Sequence, residues 1–228
     1  MSRSCVLMDL GLVEYREAWE LQRYLVGKRL ENSLPDVLLL LEHPPVYTVG
    51  RRGTTSGLEG LGIPVHEVER GGEVTYHGSG QLVGYPIMAL SRGKLDVKGY
   101  VADVEDVLIL TVASFGIEGE RGPHSGLWVG PKKLASIGVA VKHYVTYHGF
   151  ALNVNVDLLP FRRIRPCGIQ GTRITSLKEI LGREVPMDEV KASLIQSFSE
   201  VFGAELLSSE EFPGLERVLE GLLPAEMS

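Results

Sequence analysis

The sequence predicts an α+β fold built on a mixed, mostly antiparallel sheet with flanking helices. Two observations carry that expectation. Helical periodicity is strongest near the ends of the chain and over one central segment, while short apolar stretches broken by glycine-rich turns fill the middle. Neither a GxGxxG turn after a strand nor a GxxxxGK[ST] loop occurs, so the two common nucleotide cradles of doubly wound sheets are absent.

Residues 4–10 and 36–42 have the length and composition of strands. The stretch 13–31 between them has helical spacing, with Trp19, Leu21, Leu25 and Leu30 placed to face a core. From Val46 to Gly84 the pieces VYTVG, PVHEV and EVTYHG alternate with RRG, GLEGLG and RGGE, the pattern of short antiparallel strands joined by loops. A helix is expected over 96–115, with Asp96 as its N-cap and Gly116 as its stop. LASIGVAVKHY (134–144) and YHGFALNVNV (147–156) read as the two strands of a hairpin, the second placing Phe150, Leu152, Val154 and Val156 on one face. A last strong helix runs from about Met187 to Phe202 behind Pro186 and Asp188, and LERVLEGLL is a final amphipathic stretch.

With 228 residues, 44% of them hydrophobic and 23% charged, the chain can bury a substantial core as one domain, 1–228, whose last 25 or so residues form an appended helical tail. No apolar run approaches the roughly 20 residues of a membrane helix. Asp9 and Glu14 interrupt what would have to be an uncharged signal core. Cys5 and Cys167 are far apart in sequence and belong to no metal-ligand spacing, so neither a disulfide nor a metal site is expected, and a reducing cytoplasm fits. A net charge of -6 argues against a nucleic-acid partner while leaving room for a local basic patch.

Three segments concentrate glycine and polar residues: RGGEVTYHGSGQLVGYPI (70–87), KKLASIGVAVKHYVTYHGFALNVN (132–155) and RIRPCGIQGTRITSL (163–177). Cys167, between Pro166 and Gly168 and preceded by Arg162, Arg163 and Arg165, is either a small buried hydrophobe or a thiol made nucleophilic by its electropositive setting. Cys5, inside CVLMDL, reads as core. Lys133, taken alone beside Lys132, reads as a solvated charge. His77 and His148 are candidate bases or loop-ordering residues, and Tyr76 and Tyr85 are pocket or core residues.

Taken in order, these segments resemble the lipoyl(octanoyl) transferase family: RGG-x-x-TYHG-x-GQ at Arg70–Gln81, the lysine segment KLASIG at Lys133–Gly138, HGFALN at His148–Asn153, and PCG at Pro166–Gly168. EHPPVYTVGRR (42–52) is a weaker likeness. Ser79 departs from the pattern, standing where the family usually has proline, which bears on loop rigidity rather than on chemistry. The resemblance implies the catalytic-domain fold shared by biotin and lipoate ligases, and a cysteine acyltransferase with Cys167 as nucleophile and Lys133 as its partner. It places substrate binding at Arg70, Gly71, Gly72, Glu73, Val74, Thr75, Tyr76 and His77, at Ser136, Ile137 and Gly138, and at Gly149, Phe150 and Ala151.

The implied reaction moves an octanoyl group from octanoyl-acyl carrier protein to a lysine of a lipoyl-accepting domain, in 2-oxoacid dehydrogenase complexes or the glycine cleavage H protein. It calls for no metal or cofactor and no nucleic-acid or membrane partner, and a monomer is expected. Arg51, Arg52, Arg162, Arg163 and Arg165 are candidates for docking an acidic carrier protein. The rivals are an ATP-dependent lipoate or biotin ligase on the same fold and a catalytically silent acyl-binding module.

Overall fold

The computed structural model describes residues 3–90, 96–164, 173–212 and 215. In chain order the elements are β1 (Arg3–Leu12), α1 (Tyr15–Leu30), β2 (Asp36–Glu42), β3 (Val46–Val49), β4 (Val65–Glu67), β5 (Val74–His77), β6 (Gln81–Ile87) and α2 (Val97–Ala113). They continue with β7 (Glu120–Arg121), β8 (Gly126–Val129), β9 (Lys132–Lys142), β10 (Val145–Asn153), β11 (Arg173–Ile174), α3 (Leu177–Leu181), α4 (Met187–Phe202) and β12 (Ala204–Ser208).

A nine-stranded sheet has the order β12-β1-β2-β6-β10-β9-β8-β7, with β11 beside β9, and a separate three-stranded sheet has the order β4-β3-β5. Every pairing from β2 to β7 along the large sheet is antiparallel. β1 runs parallel to both β2 and β12, and β11 runs parallel to β9. This is the mixed, mostly antiparallel α+β architecture expected.

Why β2 is apolar at five successive positions follows from its place in the middle of the sheet. Leu38 and Leu40 face the core that holds α2 and α4, whereas Val37, Leu39 and Leu41 face the core that holds α1. A strand covered on both sides loses the alternation of a half-buried one. Cys5 lies in the α2/α4 core, fully buried, as read from its apolar neighbours. Buried Asp36 accepts bonds from Arg3, from Arg29 at 2.7 Å and from the Ala89 amide at 2.9 Å, joining β1, the end of α1 and the end of β6.

Helix α2 begins as expected: the Asp96 carboxylate accepts the Gly99 N–H at 2.7 Å. α4 has the bounds read from the sequence. The β9–β10 hairpin turns on His143 and Tyr144, both in left-handed conformation (φ 46° and 69°), which is how a tight turn matches the twist of its strands.

Two expectations need correction. The 46–84 region is not one antiparallel group: β3 pairs antiparallel with β5 but parallel with β4, and β6 leaves to join the large sheet. The second hairpin strand ends at Asn153 rather than 156. Beyond it the Val154 and Asn155 amides both turn to Gly80 O (3.2 and 2.7 Å), so Val154 stays in the α2/α4 core while Val156 packs with Tyr47, Tyr76 and Phe161. The final stretch LERVLEGLL lies outside the described residues apart from Leu215.

Candidate active site

The antiparallel pair β9–β10 forms one side of a cavity of about 660 Å³, within the range of small-molecule sites. The loop 70–75 forms another side, and Val97, Val101, Pro123, His124 and Ser125 contribute the wall near Lys133. Residues far apart in sequence meet here. Lys133, Arg70, Gly71, Gly72, Glu73, Val74, Thr75, His77, Ser136, Ile137, Gly138, Gly149, Phe150 and Ala151 all line the space. Tyr76 is the exception among the described candidates. It packs on the opposite side of β5 against Tyr47 and Phe161, because adjacent strand positions project to opposite faces. Cys167, Pro166, Gly168 and Arg165 lie outside the described residues.

The loop at 70–73 is held by its own arginine. Arg70 Nη2 donates to Thr48 O at 2.6 Å, to Glu73 O at 2.7 Å and to Thr48 Oγ1 at 2.9 Å, while Nη1 donates to Gly71 O at 3.0 Å. A forked guanidinium satisfies several carbonyls at once, which an ammonium does not match. This side chain is 8% exposed, so its binding-site position is that of a clamp on the loop. A Cβ on Gly138 would stand 3.0 Å from Arg70 Cδ and 3.1 Å from Gly71 O, so the close approach of loop and strand leaves little room for a side chain there.

Lys133 is not the solvated charge that its neighbour Lys132 suggests. It is 2% exposed, with Nζ 5.6 Å from the centre of the Trp128 ring. Lys132, alternating to the other side, pairs with Glu179 at 3.1 Å. Gly126 fits against the lysine stem: a Cβ there would meet Lys133 Cε at 2.7 Å and Ala135 O at 2.2 Å, and its φ of +136° already excludes most side chains. The Gly126 N–H is held by the buried Glu105 carboxylate at 3.0 Å, which Arg121 Nε also contacts at 3.1 Å.

A chain of hydrogen bonds joins the loop to the Lys133 strand. His77 Nδ1 donates to Gln81 Oε1 (2.8 Å), Gln81 Nε2 donates to Asn153 Oδ1 (2.9 Å), and Asn153 Nδ2 donates to Thr175 O (3.0 Å). The Thr175 N–H in turn donates to Lys133 O at 3.0 Å. Gln81 Nε2 also donates to Tyr76 O at 3.3 Å, which fixes the amide orientation, so His77 carries its proton on Nδ1. Burial holds His77 well below the ordinary histidine range, assisted by the nearby His43. The Ser79 loop is tied without proline: Gly80 N donates to Glu42 Oε2 at 2.6 Å and Gly80 O receives the two amides described above.

Lining residues absent from the expected binding set include Tyr15, Tyr85, Val139 and His148, as well as the wall formed by Val97, Val101 and residues 123–125. Behind them stands His43, whose Nδ1 donates to Val13 O at 2.7 Å and whose Nε2 accepts the Tyr85 hydroxyl at 2.8 Å. Burial lowers both His43 and His148 to about 4, although Glu69 beside His148 works in the opposite direction. Only the EHPP motif hinted at His43. Arg51 and Arg52 are exposed and reach the cavity, whereas Arg162 and Arg163 are exposed on the short helical turn after Leu159.

The α+β scaffold thus carries a glycine-lined slot with a buried lysine amine in its wall. Residues 14–199 match the lipoyl protein ligase A/B catalytic domain, and the chain belongs to that family. Similar proteins include the octanoyltransferase of Rubrobacter xylanophilus, 48% identical over 203 residues covering 85% of this chain and 91% of that one. The octanoyltransferase of Geobacter metallireducens is 46% identical over 212 residues, 92% of this chain and 97% of that one. Among solved structures, a bipartite lipoate protein ligase from Thermoplasma acidophilum superposes with a TM-score of 0.69 at 17% identity, covering 100% of both chains. Lipoate-protein ligase A bound with ATP superposes at 0.68 and 16%, covering 100% of this chain and 98% of that one. At that identity the likeness is one of fold.

Proposed function

We propose that this chain is an acyltransferase of protein lipoylation. It moves an octanoyl group from octanoyl-acyl carrier protein to a lysine of a lipoyl-accepting domain, with Cys167 carrying the acyl group as a thioester and Lys133 assisting. The observation that carries this reading is the buried Lys133 amine in the wall of a glycine-lined slot, in a chain 43–48% identical to octanoyltransferases over most of its length. The described chain resumes at Arg173 and pairs at once with the lysine strand, Ile174 lying opposite Lys133. On the other side of Cys167, three peptide units of about 3.8 Å tether it to Ile164, which packs in the same apolar cluster as Ile174.

The chemistry fits a lysine and a thiol. The Cys167 thiolate attacks the carrier thioester carbonyl, the carrier sulfur leaves and takes a proton, and a new thioester of nearly equal energy forms. A lysine amine of the acceptor then attacks, the C–S bond breaks as the amide forms, and Cys167 recovers its proton. Lys133 serves the first half as an ammonium that favours the thiolate and the second as an amine that removes a proton from the attacking nitrogen. Because the donor is already a thioester, no ATP is consumed.

Incubation with octanoyl-acyl carrier protein in the absence of ATP, read by intact mass, tests the proposal. An octanoyl adduct is expected on Cys167, missing from Cys167→Ser and slowed in Lys133→Ala. Activity only with free octanoate and ATP would instead establish a ligase. Residues 1–228 act as one catalytic domain and a cytoplasmic monomer in this reading, with lipoyl domains and the H protein as acceptors. Reversing Arg51 and Arg52 to glutamate raises the KM for carrier steeply at low salt if they dock it, and leaves it unchanged if they do not.

A further inference from the structure

Among the described residues the buried His148 Nδ1 and Gln22 Nε2 make no hydrogen bond, and His148 Nε2 has only a long 3.5 Å contact with Glu69 Oε2. Gln22, fully buried on α1, uses its Oε1 to accept the His148 backbone N–H at 2.8 Å. Buried groups of this kind ordinarily find a partner, so the pair points to something that binds there. His148 lines the cavity and is 1% exposed.

The backbone is shaped to bring the imidazole to this place. His148 has φ +55° in the middle of β10, a left-handed conformation that a non-glycine residue adopts only under constraint. Consecutive strand side chains ordinarily project to opposite faces, yet the rings of Tyr147 and His148 stack at 4.9 Å. Thus displaced, His148 meets Tyr85 edge to face and its Nε2 comes within 3.5 Å of Glu69 Oε2. Glu69 Oε2 also accepts the Trp19 Nε1–H at 3.0 Å, and Tyr85, His77 and Arg70 have partners in His43, Gln81 and Thr48.

His148 also lies far from the amine. It pairs with Val139 in β9, six residues along from Lys133, so about 20 Å of strand separates the two ends of the slot. An acyl chain started at Lys133 and laid along the strand reaches about 9 Å fully extended with eight carbons and about 14 Å with twelve, taking carbon–carbon bonds of about 1.5 Å. On that scale a chain of eight carbons ends well short of the His148 position, and one of twelve extends most of the way toward it.

We propose that His148, with the buried Gln22 behind it, is a polar stop at the far end of the acyl slot, limiting chain length and accepting a polar group on the terminal carbon of the acyl chain. This deepens the octanoyl-transfer reading and rests on it. A longer apolar chain leaves His148 Nδ1 and Gln22 Nε2 desolvated without partners, whereas a terminal hydroxyl supplies bonds to them.

The test compares transfer from octanoyl-, dodecanoyl- and 8-hydroxyoctanoyl-carrier protein by the native chain, His148→Gly and Gln22→Met. Glycine suits the left-handed backbone at 148, so the first variant removes the ring without adding strain. The native chain is expected to favour octanoyl over dodecanoyl by tenfold or more and to use the hydroxylated chain within a few-fold of octanoyl. In His148→Gly the dodecanoyl-to-octanoyl ratio rises about tenfold and the hydroxylated substrate falls behind, and Gln22→Met moves both ratios the same way. A native chain that rejects the terminal hydroxyl by about a hundredfold, as a wholly apolar end does, overturns the proposal without need of a variant. So do ratios unmoved in folded variants. A native chain inactive with all three donors refutes octanoyl transfer itself.

Discussion

Thr175 donates its backbone N–H to the carbonyl oxygen of Lys133 at 3.0 Å, so the strand that carries the buried amine also receives the chain on its return from the Cys167 segment. Asn153 secures the other side of Thr175 by donating to its carbonyl at 3.0 Å, and itself accepts from Gln81. Three stretches separated by decades of residues are thereby fixed to one another through groups that are 4% exposed or less.

Asn153→Ala is therefore expected to do more than lower stability. Leaving a buried Gln81 donor and the Thr175 carbonyl without partners costs about 1–3 kcal/mol, read as a lower denaturation midpoint. Loosening of β11 against β9 is expected to slow acyl-adduct formation about tenfold in protein that remains folded. A destabilised variant with native adduct kinetics would limit the network to scaffolding.

Gly126→Ala isolates the setting of Lys133. Its methyl would meet the Ala135 carbonyl and the lysine stem, and the left-handed region it occupies suits few side chains. A loss of about 2–3 kcal/mol is expected. Transfer is expected to fall by at least tenfold at a temperature where the variant is folded. Thermal melting and single-turnover rates check both, and full activity would show that the amine tolerates displacement.

What the sequence displays of this site follows from how each residue acts. Loop glycines and Arg70 stand in compact motifs, so the slot-forming segments are visible, and α4 is readable to its termini because Pro186 and its periodicity bound it. Tyr76 shares a motif with slot residues but, on a strand, its parity sends it to the other face. His43 and Gln22 act across the fold, touching Tyr85 and His148 from 42 and 126 residues away, and no local spacing records such pairings. The parallel contacts of β1 with β12 and of β11 with β9 are likewise long-range, and two-residue β11 carries no periodicity at all.

Acid sensitivity is expected from the buried histidines. Their folded forms resist protonation, chiefly through burial, with His43 and His148 at about 4 and His77 also well below the ordinary value of 6.5. The unfolded chain binds protons near 6.5, so the stability these residues contribute is complete above that pH and drains away as the pH falls toward 4. Each contributes a slope of up to about 1.4 kcal/mol per pH unit. Melting temperatures measured between pH 7.5 and 5, above the range in which carboxylates titrate, should drop steeply. His43→Gln, which retains an N–H for the Val13 carbonyl, should show a shallower dependence, and an identical slope would remove His43 from the account.

The two thiols are expected to separate cleanly in reactivity. Cys5 is fully buried in the α2/α4 core, where burial first and the Asp36 charge second push its thiol up to about 12, with Arg3 opposing. At pH 8 only about one such thiol in ten thousand is ionised, and no reagent reaches it without opening the core. A maleimide is thus expected to label the native chain once, at Cys167, with Cys5 reacting only in denaturant. Saturating octanoyl-acyl carrier protein should protect the reactive thiol, and Cys5→Ala should leave both labelling and protection unchanged while lowering stability by about 1 kcal/mol. Labelling of native chain at Cys5 would overturn the assignment of that residue to the core, and protection that fails to appear would separate the accessible thiol from the acyl slot.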